Sequence, residues 1–117
     1  MRTGYKVVVR RRRKDGIKYY SSVMNFGYNR IAMVEYKLNE WAYPRRRNFG
    51  PLAVFKDKES AMKFVRFVTD SVAFKCKYRK SKKKRLYYMY DQCQDPPLGT
   101  DFASSVMLLE KVDRRKR

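Results

Sequence analysis

Residues 4–24 read Gly4-Tyr5-Lys6-Val7-Val8-Val9-Arg10-Arg11-Arg12-Arg13-Lys14-Asp15-Gly16-Ile17-Lys18-Tyr19-Tyr20-Ser21-Ser22-Val23-Met24. Tyr5, Val7 and Val9, separated by Lys6 and Val8, give residues 4–10 the composition of a β-strand. Asp15-Gly16 is a turn signal, and residues 17–24 are again β-prone. The stretch therefore predicts an antiparallel hairpin whose tip, residues 10–14, is rich in arginine and solvated.

Working outward, residues 25–29 read as a loop. Residues 31–38 alternate as a third strand, with Ala32, Val34, Tyr36 and Leu38 on one side. Residues 39–51 carry Pro44, Gly50 and Pro51 around Arg45-Arg46-Arg47, which excludes a regular central strand and predicts a basic excursion. Leu52-Ala53-Val54-Phe55 suits a short buried strand. Asp57 then stands as N-cap of a helix reaching about Asp70, with Ala61, Phe64, Val65 and Val68 at i, i+3, i+4 and i+7.

Residues 72–78 alternate, with Val72, Phe74, Cys76 and Tyr78 on one face. Residues 79–85 are almost all basic and separate that strand from residues 86–90, which predicts a second hairpin with a cationic loop. Pro96, Pro97 and Gly99 mark residues 91–101 as a loop. Residues 102–112 form a last strand before the basic tail, residues 113–117. The expected fold is α+β: a single small β-rich domain over residues 1–112, with about six to seven mostly antiparallel strands and one helix packed on one sheet face.

Composition agrees with one domain. The 117 residues are 44% hydrophobic and 15% aromatic, enough for a core, yet 30 Lys and Arg face 11 Asp and Glu, a formal charge of +19. So unbalanced a surface points to a polyanion or an acidic protein as partner. With no histidine, Ser-His-Asp triads, Cys-His dyads and histidine-containing zinc sites are excluded within the chain. Cys76 and Cys93 are too few for a four-cysteine zinc site and read as reduced thiols. Neither a signal peptide nor a membrane-spanning stretch is expected.

The candidate polyanion-binding residues are four acid-free basic runs. They are Arg10, Arg11, Arg12, Arg13 and Lys14; Arg45, Arg46 and Arg47; Arg79, Lys80, Lys82, Lys83, Lys84 and Arg85; and Arg114, Arg115, Lys116 and Arg117. Converging on one face they would form a phosphate footprint; scattered, each serves solubility or assembly. Tyr87, Tyr88 and Tyr90 beside Lys82 to Arg85 are candidates for stacking on unpaired bases, although tyrosine also caps small β-rich cores. Trp41 beside Tyr43 and Pro44 reads either as a core plug or as a recognition platform.

Asp91, Asp95 and Asp101 share one predicted loop but fit no EF-hand spacing, and Asp101 equally suits a turn hydrogen bond that starts the last strand. The glycines make neither GxGxxG nor a P-loop. No catalytic residue, metal or cofactor is expected. Residues 10–14, 82–85 and 114–117 also fit basic nuclear-import strings.

Tyr5-Lys6-Val7-Val8, Tyr36 with Trp41 and Pro44, Pro51-Leu52-Ala53-Val54-Phe55 followed by Ala61 and Phe64, and Leu98-Gly99-Thr100 with Ala103, Val106 and Leu109 carry a resemblance. Over the whole chain the sequence resembles a loose set of small proteins of unassigned function from large DNA viruses and tailed phages. The resemblance implies a compact β-rich fold and a viral origin, hence an expected location in a virion or the host cytoplasm or nucleus, and transfers no catalytic or binding residue. The expected function is a non-enzymatic, strongly basic structural component of a large viral assembly. Its cationic loops would contact acidic capsid protein surfaces or packaged nucleic acid. The alternatives are a sequence-nonspecific RNA or single-strand binder and a host-directed inhibitor of an acidic host protein.

Overall fold

Strand β1 (Arg2–Arg13) does not stop at the arginines but runs through them. It pairs antiparallel with β2 (Gly16–Ser21) from Val8↔Ser21 to Arg13↔Gly16, which leaves only Lys14 and Asp15 as the turn. Backbone pairing is indifferent to side-chain charge when the side chains point to water, so a run of arginine extends a strand as readily as it makes a loop. The structure, a computed structural model, describes residues 1–21, 34–45, 51–82 and 99–112.

Among the described residues the remaining strands are β3 (Glu35–Tyr36), β4 (Trp41–Ala42), β5 (Leu52–Phe55), β6 (Ser71–Lys80) and β7 (Thr100–Lys111), with one helix, α1 (Lys58–Val65). The named strand pairs are all antiparallel, as expected for a β-rich α+β domain. What the alternation did not foretell is closure. β6 bonds β1 on one edge and β7 on the other, while β5 bonds β7 through Leu52↔Ala103 to Phe55↔Thr100 and reaches β1 at Tyr5↔Phe55. Strands β1, β6, β7 and β5 therefore close into a small barrel, with β2 and β3 continuing from β1 and β4 from β7.

Gly4 permits that closure. A Cβ at this position would lie 2.6 Å from the Phe55 carbonyl oxygen, so only glycine lets the β5 backbone come this close to β1.

Two apolar clusters result. Val8, Val54, Val72, Phe74, Cys76, Tyr78, Val106 and Leu108 fill the barrel, joined by Val34 and Tyr36. On the outside, Ala61 and Val65 of α1 join Val7, Phe55, Ala73 and Val112. Both faces of the central part of β1 are thus buried.

Helix α1 starts where expected, with the Ser60 amide donating to Asp57 Oδ1 at 2.8 Å. It ends at Val65, five residues before the expected end. Arg66, Phe67 and Val68 bond three residues back instead of four, which tightens the last turn. The Ser71 hydroxyl then lies against the Val65 and Val68 carbonyl oxygens, at 3.2 and 2.7 Å, and Asp70 turns the chain into β6 with φ 59. Other boundaries also differ from expectation. The third strand is reduced to Glu35–Tyr36, and Leu38, expected on the same side as Val34 and Tyr36, is 46% exposed while those two are buried. Residues 31–33 and the predicted strand 86–90 lie outside the described residues. No described helix is long and apolar enough to cross a membrane.

Candidate nucleic-acid interface

The β1–β2 ribbon outruns its neighbours. β6 accompanies β1 only as far as Val9↔Ser71, followed by one bond from the Arg10 amide to the Asp70 carbonyl at 2.8 Å. β3 pairs with β2 only at Tyr19 and Tyr20. Among the described residues, no third strand joins the ribbon beyond these points, and residues 10–17 are all exposed.

Register assigns the ribbon's side chains to two faces, because residues directly opposite in an antiparallel pair share a face. Arg10 and Arg12 stand with Tyr19 and Ile17, whereas Arg11 and Arg13 stand with Lys18 and Gly16. Tyr19 anchors the first face by packing edge-on against Phe74, ring centroids 5.0 Å apart. On the second face the Arg13 guanidinium lies 5.5 Å from the centre of the Tyr20 ring. The one acid of the ribbon, Asp15, pairs with Lys18 at 3.6 Å. Both faces therefore carry cations, and the sole carboxylate is engaged at the turn.

The second described basic run lies elsewhere. Arg79 and Lys80, expected in a loop, are the last two residues of β6, and Lys82 follows them exposed. Antiparallel register sets Tyr78 against Arg2 at the start of β1, so this run is separated from Arg11 by about nine residues of strand, roughly 30 Å. Strand β4 runs antiparallel to β7 and carries the exposed Arg45 towards the same end as Lys80. Among the described residues, the run at the hairpin tip and the cations Arg45, Arg79, Lys80 and Lys82 therefore lie at opposite ends of the barrel. Arg46, Arg47, Lys83, Lys84, Arg85, Arg114, Arg115, Lys116 and Arg117, with Tyr87, Tyr88 and Tyr90, lie outside the described residues.

At the Lys80 end the cations are partly engaged. Asp101, expected in a loop, lies within β7 and is 2% exposed. Its carboxylate accepts from the Tyr78 hydroxyl at 2.6 Å, from Arg2 at 3.3 Å, from the Lys80 ammonium, and from the Phe102 amide at 2.9 Å. Burial disfavours its charge, but these donors outweigh burial and hold the carboxyl at about 2. Trp41 is neither a buried plug nor a bare platform. It pairs with Met107 on β7, and the Arg79 guanidinium covers its ring at 4.0 Å while donating to Ser105 Oγ at 3.2 Å.

Lys6 is a residue whose special position the alternation did not disclose. It faces Phe74 across β1 and β6, inside the barrel, and its ammonium donates to the Ala53 carbonyl at 2.7 Å with the Tyr36 ring 5.4 Å away. Burial lowers its pKa to about 8, and burial likewise pushes the neighbouring Cys76 thiol up to about 12. Cys76 is free. Among the described residues, no three metal-ligating side chains gather in one place. No known protein family, curated protein or solved structure matches the chain.

Proposed function

We propose that the protein is a non-enzymatic, sequence-nonspecific nucleic-acid-binding component of a nucleoprotein assembly, and that its β1–β2 ribbon occupies a groove of the duplex. The observation that carries this reading is the division of the ribbon cations between two faces, Arg10 and Arg12 on one and Arg11, Arg13 and Lys18 on the other. A flat acidic protein surface meets one face of a ribbon and leaves the other in water. A groove has a phosphate wall on each side, and a two-stranded ribbon fits the major groove as it stands and the minor groove once it is widened.

Contacts of this kind are electrostatic and position the backbone without reading sequence. Five cations, Arg10 to Lys14, with Lys18 answering Asp15, give an expected log–log salt slope of about −4.5 on B-form DNA. The test is fluorescence anisotropy of a mixed-sequence duplex titrated across a salt series. The double variants Arg10→Ala/Arg12→Ala and Arg11→Ala/Arg13→Ala should each flatten the slope by about 2. Loss confined to one variant would overturn the groove in favour of a flat acidic partner.

A further inference from the structure

We infer that Ile17 is an apolar wedge that enters between stacked base pairs of duplex DNA from the minor groove and bends the helix. The inference rests on the preceding reading that the ribbon binds a duplex, and it names what the ribbon does there. Ile17 is 47% exposed and stands in register with Arg12, one residue from the turn. Its chain neighbour Gly16 has no side chain, and a Cβ built there would meet nothing within 4 Å. A single exposed isoleucine is ordinary on a protein surface. This one is distinguished by its setting: beyond Tyr19, which packs against Phe74, its face of the ribbon otherwise carries Arg10 and Arg12.

Charge holds such a ribbon to the backbone but offers nothing to the base stack. The minor groove of straight B-DNA, about 6 Å wide, is too narrow for two strands with side chains on both faces. A ribbon enters only if the groove opens. Inserting a branched apolar side chain at a base step unstacks it, opens the minor groove and kinks the duplex towards the major groove. The arginines on either face then follow the bent backbone, and their added contacts offset the unstacking. Lys14 extends the cations beyond the wedge, and Asp15, paired with Lys18, is kept from repelling phosphate.

The test uses the full chain and a duplex of about 30 base pairs carrying a donor and an acceptor dye at its ends, long enough to show a bend against the stiffness of DNA. The wild-type protein should bring the ends together. It should also prefer a duplex with one central mismatch, whose unstacking costs less, by about tenfold. Ile17→Ala should bind the matched duplex more weakly than wild type and with a shallower salt slope, because the unopened groove denies the arginines their added phosphate contacts, and should leave the duplex straight and lose the mismatch preference. Ile17→Leu should keep both. A wild-type protein that binds with the expected slope yet leaves the duplex straight, or an Ile17→Ala protein that still bends it, overturns the wedge alone. A wild-type protein that binds no duplex overturns the ribbon reading and the wedge with it.

Discussion

The Tyr78 hydroxyl donates a 2.6 Å hydrogen bond to Asp101 Oδ2, joining β6 to β7 inside the barrel end where Arg2 and Lys80 also reach the same carboxylate. Three strands are fastened by one buried anion. Its folded pKa of about 2 lies below the unfolded value of 3.8, so the folded state binds fewer protons than the unfolded state between these values. The stabilisation is complete above about pH 4 and is lost as pH falls through 2. Asp101→Asn should cost about 2 kcal/mol at neutral pH, from weakened charge-assisted bonds, and should remove part of the acid sensitivity below pH 4. Urea denaturation at pH 7 and pH 3 measures both effects.

Lys6 gives the opposite sign. Its folded pKa, about 8, is below 10.5, so between these values the unfolded chain binds more protons and stability rises with pH. Cys76, raised from 9.0 to about 12, makes stability fall with pH above 9. The net expectation is a rise from pH 8 to 9 followed by near cancellation. Lys6→Met should stabilise the protein by about 2 kcal/mol at pH 7, since it removes a buried charge without leaving a cavity, and should abolish the rise. A destabilised Lys6→Met protein would show that the ammonium is more than a tolerated cost.

Gly4→Ala should destabilise by about 2 kcal/mol, because its Cβ would sit 2.6 Å from the Phe55 carbonyl and force β5 away from β1. Hydrogen exchange should then accelerate at Phe55 more than along β6, which holds the other edge of β1.

Ser71→Ala should cost about 1 kcal/mol by leaving the Val65 and Val68 carbonyls without the hydroxyl that now lies against them. The loss should be visible in the thermal midpoint while the duplex affinity proposed for the ribbon stays unchanged.

Trp41 is the protein's single tryptophan, and it lies under Arg79 at the barrel end remote from the ribbon. Its emission therefore reports which end a ligand occupies. Duplex bound through the ribbon should leave that emission unaltered, whereas a ligand drawn to Arg79 would lift the guanidinium from the ring and shift it.

The hairpin, described as far as Ser21, was legible because turn chemistry at Asp15-Gly16 and β-propensity on either side agree, two local signals that need no tertiary context. The helix start was legible for the same reason at Asp57, but its end was not, because the hydroxyl that meets its last carbonyls belongs to Ser71 on the next strand. Barrel closure depends on contact between Gly4 and Phe55, fifty-one positions apart, and no local pattern encodes it. Lys6 was hidden by the habit of reading a charged residue in an alternating strand as solvent-facing. Both faces of β1 are buried, so alternation assigned sides but not environments. At the candidate site, the cations were plain in the sequence. Their division into two faces required the register of a strand that continues through them.

Among the described residues no strand flanks the ribbon beyond Arg10 and Tyr19, so its hydrogen-bonding edges there have the geometry on which separate molecules zip together. Here mutual repulsion between copies guards those edges, and the guard is only as strong as the ribbon's net positive charge. Once a polyanion neutralises it, adjacent molecules lose the barrier to edge-to-edge growth. Free protein would stay dispersed while ligand-bound protein condenses cooperatively, with the ligand itself acting as the trigger for assembly.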